Sequence, residues 1–214
     1  QHANHLPVNV DILCAYEVAK AVSAQTGIPL LPPLPFGNSQ GHVGWPGTIS
    51  LRPETFQKVI EEICEWLHRS GVDKVLILNG HLMNPQPLSG ATGNLMMSFP
   101  NMRFRTMSWW EATADVTAMV LADTENGGFH ANDAETSMLL FLRPDLVDME
   151  EARDETAATK RSFFAYFLKN RTQTGATGNP LLASREKGEK LFNTAVEAIV
   201  SQIREAKNEQ PPIP

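Results

Sequence analysis

Metal-binding side chains occur at the start of the chain and again far downstream. His2 and Asp11 are nine positions apart, and His81 follows Asn79-Gly80 much later in the sequence. Each of the three lies at a boundary between predicted elements, where the backbone can hold a side chain in a fixed direction. Imidazole nitrogens and carboxylate oxygens together suit zinc, manganese or iron. The residue types and their placement therefore indicate the metal site of a hydrolase.

The N-terminal residues of this set also have a second interpretation. His5 lies only three positions from His2, so it can hydrogen-bond a neighbouring ligand instead of binding a metal itself. From spacing alone, the segment is equally compatible with a solvated stretch of incidental polar residues. Asp11 lies at the start of a predicted helix and is the best candidate for a carboxylate that bridges two ions. Binuclear hydrolases use such a bridge when they generate hydroxide near neutral pH.

A second group of candidate residues lies between positions 128 and 137. His130 follows Gly127-Gly128-Phe129, and Glu135 lies on the helix that is predicted next. A histidine and a glutamate near a helix start are most often capping or surface residues. Here they are also placed to bring an acid–base imidazole and a carboxylate to the same rim as His81.

The glycine-rich loop 36–48 supplies two further candidates. His42 and Trp45 lie in this loop, and we interpret them as walls of a substrate-binding pocket. His68 lies on the polar side of a predicted helix instead, and we interpret it as a surface residue.

Hydrophobic periodicity predicts the elements that position these residues. Strands are predicted over 28–34, 75–78 and 102–107, and helices over 10–26, from Pro53 to near Gly71, and over 85–98, 131–142 and 185–206. The three prolines in 28–34 lead that short strand into an extended loop. Alternating helices and strands favour an α/β domain with a mainly parallel sheet. In such sheets ligands bind at the carboxyl ends of the strands, where His81 lies.

Composition limits the classes of function. The 214 residues are 42% hydrophobic and 20% charged, which is typical of a single globular domain spanning 1–214. The net charge of −6 argues against a nucleic-acid partner. No apolar run approaches the length of a membrane span, which argues against a membrane protein. Cys14 and Cys64 fall in helical patterns beside apolar neighbours, so we expect free thiols and a cytoplasmic location.

Five blocks of sequence occur in an order and spacing that are specific in combination. The blocks are His2 through Asp11, Pro46-Gly47-Thr48-Ile49-Ser50-Leu51, Leu78-Asn79-Gly80-His81 with Asn84, His130-Ala131 with Glu135-Thr136-Ser137, and Ala183 with Glu186-Lys187-Gly188. Together they cover nearly the whole chain, and no single block would be specific. With these blocks the chain resembles the creatininase (creatinine amidohydrolase) family.

The resemblance implies both a fold and a chemistry. The fold would be a three-layer α/β sandwich, with the mainly parallel sheet flanked by helices. Two divalent ions (zinc, manganese or iron) would activate a water that cleaves a carbon–nitrogen bond, often in a cyclic or formyl amide. His2, Asp11 and His81 match metal ligands of the family pattern. The partner would be a small-molecule amide, and the resemblance implies a homo-oligomer, a hexamer in relatives.

The resemblance also implies features that this chain lacks. In the family pattern a glutamate ligand directly precedes the Gln-His pair, so we expect a domain truncated at its N-terminus before Gln1. Creatininase carries a second glutamate two residues after the strand-end histidine, where this chain has Met83. Many relatives have Gly-Gly-Asn where this chain has Leu82-Met83-Asn84. These differences leave room for a substrate other than creatinine, with Glu135 supplying the absent carboxylate.

Two catalytic roles and three hypotheses complete the prediction. His130 matches the proton donor of the family, and Trp110 resembles an aromatic residue that closes over the substrate.

The leading hypothesis is a metal-dependent amidohydrolase of a small, creatinine-like cyclic or formyl amide. The alternatives are a peptide-trimming member of the same family and a catalytically inactive metal-binding or assembly subunit, for which the loss of a carboxylate at Met83 is the support.

Overall fold

In a computed structural model, which describes residues 2–120, 130–155 and 163–211, the sheet consists of two parallel strands. β1 is Lys74–Asn79 and β2 is Arg103–Ser108, and their register runs from Lys74 opposite Arg103 to Asn79 opposite Ser108. A helix, α3 (Pro85–Ser98), connects the two strands. Because the strands are parallel, their carboxyl ends lie side by side at one edge of the sheet.

The remaining α-helices of the described residues begin and end at local sequence signals. Their bounds are α1 Val10–Thr26, α2 Pro53–Arg69, α4 Ala114–Val120, α5 Asp133–Leu142 and α6 Arg185–Ala206. α1 ends at Gly27, which adopts the left-handed φ of 72°. α5 begins after Asn132, whose side chain accepts the Glu135 N–H, and α6 begins after Ser184, whose hydroxyl accepts the Lys187 N–H.

Helices pack on both faces of the sheet. Val75 and Ile77 contact a cluster built from α2 and α3, whose buried members are Phe56, Ile60, Cys64, Leu88, Ala91 and Leu95. Leu78 and Met107 contact the larger cluster on the opposite face, to which α1, α5 and α6 contribute. Because side chains alternate along a strand, this division is expected for a sheet with a helical layer on each side. The predicted α/β fold with a parallel sheet flanked by helices is confirmed.

Most predicted elements are present, and one is wrong. The predicted strands 75–78 and 102–107 correspond to β1 and β2. The helix predicted over 131–142 starts at Asp133, because Asn132 caps it. Within the described residues, 28–34 forms no strand and is exposed. The reason is that Pro29, Pro32 and Pro33 have no N–H to donate to a neighbouring strand.

The predictions of free thiols and of a chain without membrane-spanning segments can also be compared with the structure. Cys14 and Cys64 are buried free cysteines, as predicted. Among the described residues, every helix is too short or too polar to cross a membrane. Gln1 and the Gly127-Gly128-Phe129 segment lie outside the described residues.

The contact between α5 and α6 gives a test of the packing. A Cβ at Gly188 would overlap the backbone oxygen of Ser137, whereas a Cβ at Gly93, inside α3, meets nothing within 4 Å. We expect Gly188→Ala to push the helices apart and lower the free energy of unfolding by about 2 kcal/mol. Gly93→Ala should instead stabilise the protein, by up to about 1 kcal/mol, because alanine is the better helix former. Urea denaturation measures both, and equal effects would contradict the close packing of α5 on α6.

Candidate metal centre

Asn79, the last residue of β1, holds the turn that carries His81. Its side-chain amide donates to the backbone oxygen of His81 (2.8 Å), and its side-chain oxygen accepts the His81 N–H (3.1 Å). The same amide donates to the Ser108 hydroxyl at the end of β2 (3.1 Å), and Asn84 donates to the Asn79 oxygen (3.1 Å). His81 is therefore fixed at the carboxyl edge of the sheet by a buried polar network. The position of His81 at this edge was predicted from the sequence, whereas the role of Asn79 in holding it was not.

Gly80 allows α1 to approach the end of β1. A Cβ at this position would overlap the backbone oxygen of Asp11 and lie 3.0 Å from the Ala15 Cβ. The close approach places the Asp11 carboxylate, Oδ2, 2.9 Å from Nδ1 of His81. The other ring nitrogen of His81 lies 3.4 Å from the Ser39 hydroxyl.

His2 lies between two carboxylates that come from distant parts of the chain. Its Nε2 is 3.1 Å from Oε2 of Glu135 and 3.7 Å from Oδ1 of Asp11. Oε2 of Glu135 also accepts the N–H of Ala131 (2.6 Å), which adopts a left-handed φ of 50°. Such a φ is strained for a residue with a Cβ, and strain of this kind concentrates at functional sites. The predicted ligands His2, Asp11, His81 and Glu135 thus converge in the structure.

His130 is part of the same cluster. Its ring centroid is 4.2 Å from that of His2, and its Nε2 is 3.3 Å from the His2 carbonyl oxygen. His2, His130 and Glu135 each offer a ligand atom, and these atoms all lie within 4.8 Å of one another. The resemblance to the family predicted a role for His130 in proton donation and not in metal binding. Its place within a group of ligand atoms makes metal binding a second role to be tested.

The electrostatics of the cluster favour a positive charge between the carboxylates. Burial lowers the pKa of His2, but the charges of Glu135 and Asp11 outweigh it and raise that pKa above its ordinary value. Burial raises the pKa of Asp11, but His2 and His81 outweigh it and the net shift is downward. The two carboxylates thus favour positive charge at His2, and a divalent cation held by the neutral ring of His2 can supply that charge instead of a proton. The donor set, imidazoles with two carboxylates, fits the metals predicted from the sequence.

Burial lowers the pKa of two neighbouring histidines. The pKa of His130 lies well below its ordinary value because of burial, with the charges of His2, His42 and His81 acting in the same direction. Burial and the charge of His2 lower the pKa of His5 to about 4. His5 is hydrogen-bonded through Nε2 to the hydroxyl of Thr136 (2.9 Å). The predicted hydrogen bond from His5 to a neighbouring ligand is therefore not formed among the described residues, because its Nε2 bonds Thr136 beside Glu135 and its Nδ1 has no partner.

Of the residues predicted to contact substrate, His42 lies at the histidine cluster, whereas Trp45 and Trp110 are characterised by their own surroundings. The ring of His42 is at the cluster, 4.5 Å from that of His130 and 5.5 Å from that of His81. Trp45 keeps its indole nitrogen buried, with no hydrogen-bond partner among the described residues. Trp110 follows β2 at the same sheet edge and is 7% exposed, with its ring 5.8 Å from that of Trp109. Contact of these three residues with a substrate stays a prediction.

The chain is similar in sequence to known proteins. A family model described as Creatininase: Creatinine amidohydrolase matches residues 1–203. Creatinine amidohydrolase of Pseudomonas putida is 30% identical over 225 residues, which are 96% of this chain and 85% of the relative. The mycofactocin precursor peptide peptidase of Mycobacterium ulcerans (strain Agy99) is 27% identical over 219 residues, 95% of this chain and 80% of the relative.

Solved structures of creatininase have the same fold. A creatininase mutant complexed with creatine superposes with a TM-score of 0.86 at 28% identity, covering 98% of this chain and 88% of the other. A Mn form of creatininase and a Zn–Zn form of a mutant each superpose with a TM-score of 0.86, at 28% and 29% identity. Each covers 98% of this chain, and 88% and 87% of the other chain respectively.

The family predicted from the sequence blocks is confirmed by the match over almost the full chain and by the shared fold. The prediction of a hydrolase is confirmed with it. This chain belongs to the creatininase family and is a hydrolase that acts on carbon–nitrogen bonds.

Proposed function

We propose that this protein is a metal-dependent amidohydrolase that cleaves a carbon–nitrogen bond of a small cyclic or formyl amide. The convergence of His2, Asp11, His81 and Glu135 supports the proposal. Glu135 contacts His2, His2 contacts Asp11, and Asp11 contacts His81. The family name, creatinine amidohydrolase, supports an amide as the substrate class, and the structure of a creatininase mutant with creatine supports a small molecule.

The donor set suits two divalent ions, zinc, manganese or iron. The Mn form and the Zn–Zn form of creatininase support this choice. Bound ions would lower the pKa of a coordinated water to about 7 and polarise the amide carbonyl. Asp11 is the proposed bridging ligand, because one of its oxygens faces His2 and the other faces His81. Glu135 is the proposed replacement for the carboxylate that is absent at Met83.

The protein's own residues have separate tasks around the reacting bond. His130 is the proposed proton donor to the leaving nitrogen, since its ring stands beside that of His2. Because its pKa is lowered, the ring would first accept that proton from the attacking water and then pass it to the nitrogen. His42, whose ring contacts those of His81 and His130, is the proposed wall of the pocket on the loop side. Trp45 and Trp110 are proposed to complete the pocket and limit the entry of water.

A peptide-trimming activity is the second candidate. Its support is the 27% identity to a peptidase that acts on the mycofactocin precursor peptide. The third candidate, an inactive metal-binding or assembly subunit, rests on Met83 alone. Metal analysis together with turnover of creatinine, formyl amides and short peptides separates the three. Hydrolysis of small amides supports the proposal, preference for peptides supports the second candidate, and bound metal without any turnover supports the third.

Assembly and location stay predictions. The resemblance implies a homo-oligomer, a hexamer in relatives, and the free cysteines are consistent with a cytoplasmic protein. Light scattering on the purified protein measures the first of these directly.

Asp11→Asn tests the proposed bridging carboxylate. An amide cannot supply negative charge to two ions, so we expect turnover to fall by at least about 100-fold while the fold is retained. Metal content, kcat and circular dichroism measured on the same sample separate loss of activity from loss of structure. Asp115→Asn is the matched control, because Asp115 is exposed in the first turn of α4. Near-wild-type turnover of Asp11→Asn at saturating metal would rule out the bridging role.

His130→Ala separates the two roles that the cluster allows. As a general acid, His130 should contribute about 10²–10⁴-fold to kcat, with metal content unchanged in the variant. As a ligand, its loss should lower metal content along with kcat. If the His130 ring only contributes its contact with the His2 carbonyl oxygen, the variant should lose about 1 kcal/mol of stability and keep its kcat. His68→Ala is the control, since His68 is exposed on α2 and its ring packs on Phe99.

A further inference from the structure

One loop contacts the backbone of two histidines of the metal centre. We call residues 172–178 the clamp loop. The carbonyl oxygen of Thr174 accepts the N–H of Asn4 (3.0 Å). At the other end, the N–H of Thr177 donates to the carbonyl oxygen of His130 (2.8 Å), and the Thr177 hydroxyl accepts the His130 N–H (3.0 Å). The clamp loop therefore connects the N-terminal segment that carries His2 with the segment that carries His130.

Gly175 brings the clamp loop into direct contact with His2. Its φ is +97°, in the left-handed region that favours glycine. A Cβ here would overlap the carbonyl oxygen of His2 and lie 3.0 Å from the Ala3 Cα. The same carbonyl oxygen is the partner of the His130 ring nitrogen. A shift of the clamp loop would thus move both the backbone of His2 and the contact between the two histidines.

Glu155 holds the clamp loop in this position. One carboxylate oxygen accepts the N–H of Gln173 (2.8 Å), and the other accepts the N–H of Thr174 (2.7 Å) and the Thr174 hydroxyl. The backbone N–H of Glu155 donates to the carbonyl oxygen of Gly178 (2.9 Å). Glu155 therefore binds the loop near both of its ends.

The charge state of Glu155 agrees with this role. Partial burial would raise the pKa of its carboxyl group, but hydrogen bonds from Thr174, Gln173 and Thr172 outweigh it and lower the pKa. The ionised carboxylate is the form that can accept several donors at once.

We propose that Glu155 is a positioning residue of the metal centre, which acts through the clamp loop to hold His2 and His130 in their places. The proposal rests on the metal centre described under the proposed function. A carboxylate that supports ligands from outside the coordination sphere typically changes metal affinity by about 10–100-fold when it is removed.

Glu155→Gln is the direct test. The amide keeps one acceptor oxygen and points an NH₂ donor at a group of donors, so the loop loses part of its support. We expect the affinity for Zn²⁺, measured by competition with a chelator well below the melting temperature, to fall by about 10–100-fold. Glu155→Asp keeps the charge and should recover part of the affinity. Glu151→Gln, an exposed neighbour, should bind Zn²⁺ as the wild type does.

Gly175→Ala tests the same contact from the other side and covers the case in which Glu155→Gln does not fold. Its control is Gly71→Ala, because Gly71 also has a positive φ (+87°) but meets nothing within 4 Å of its Cβ position. Both alanines should lower the melting temperature, since both occupy the left-handed region. Only Gly175→Ala should lower the affinity for Zn²⁺, because only there does the added carbon displace His2.

The outcomes are distinct. Lower melting temperatures with wild-type Zn²⁺ affinity in Glu155→Gln and Gly175→Ala would show a purely structural loop and overturn the proposal. A wild-type chain that binds no Zn²⁺ would overturn the metal centre and the positioning role together. Zn²⁺ binding without hydrolysis of any amide would overturn the proposed function and leave the role of Glu155 standing.

Discussion

The site depends on keeping two carboxylates, Asp11 and Glu135, beside each other in a largely buried position. Taking a carboxylate out of water is costly unless a positive charge and hydrogen bonds compensate it. His2 stands between the two and contacts both, and its raised pKa reflects that compensation. A divalent cation would supply the same compensation, because it would take the place of the proton on His2 and bring positive charge between the two carboxylates.

The fold meets this requirement by bringing helix starts to the sheet edge. Asp11 lies in the first turn of α1 and Glu135 in the first turn of α5. The unpaired N–H groups at a helix N-terminus carry partial positive charge, and both side chains lie beside such groups. Gly80 permits α1 to reach the end of β1, and Asn79 fixes the turn that presents His81. The buried faces of α1 and α5 thus contribute to the core, while their first turns contribute to the site.

The elements and site residues that could be predicted from the sequence are those marked by a short-range residue pattern or by the pattern of the family. The apolar run of β1, the helical periodicities and the glycine before His81 are local features, and the blocks around His2 and His130 match the family. The segment 28–34 was mispredicted because its apolar residues indicate a strand while its prolines prevent pairing. No sequence pattern marked Glu155 as functional, because a single glutamate acquires its role only when the chain folds residues 172–178 onto it. Contacts such as that of His2 with Glu135, which are 133 residues apart, arise only from the tertiary structure.

Met83, where the family resemblance predicts a carboxylate, affects how negative charge reaches the cluster. Met83 packs against the loop that carries His42, since its sulfur lies 2.9 Å from the Cβ position of Gly41. Glu135, by contrast, reaches His2 from α5 and supplies a negative charge there. On this geometry the carboxylate approaches the cluster from α5, and the wall beside β1 has an apolar side chain in place of a charge. The negative charge at the cluster is therefore carried by Asp11 on α1 and Glu135 on α5, which lie on either side of His2. Because positive charge in a buried position is costly without counter-charges, both of these carboxylates are needed to compensate it there.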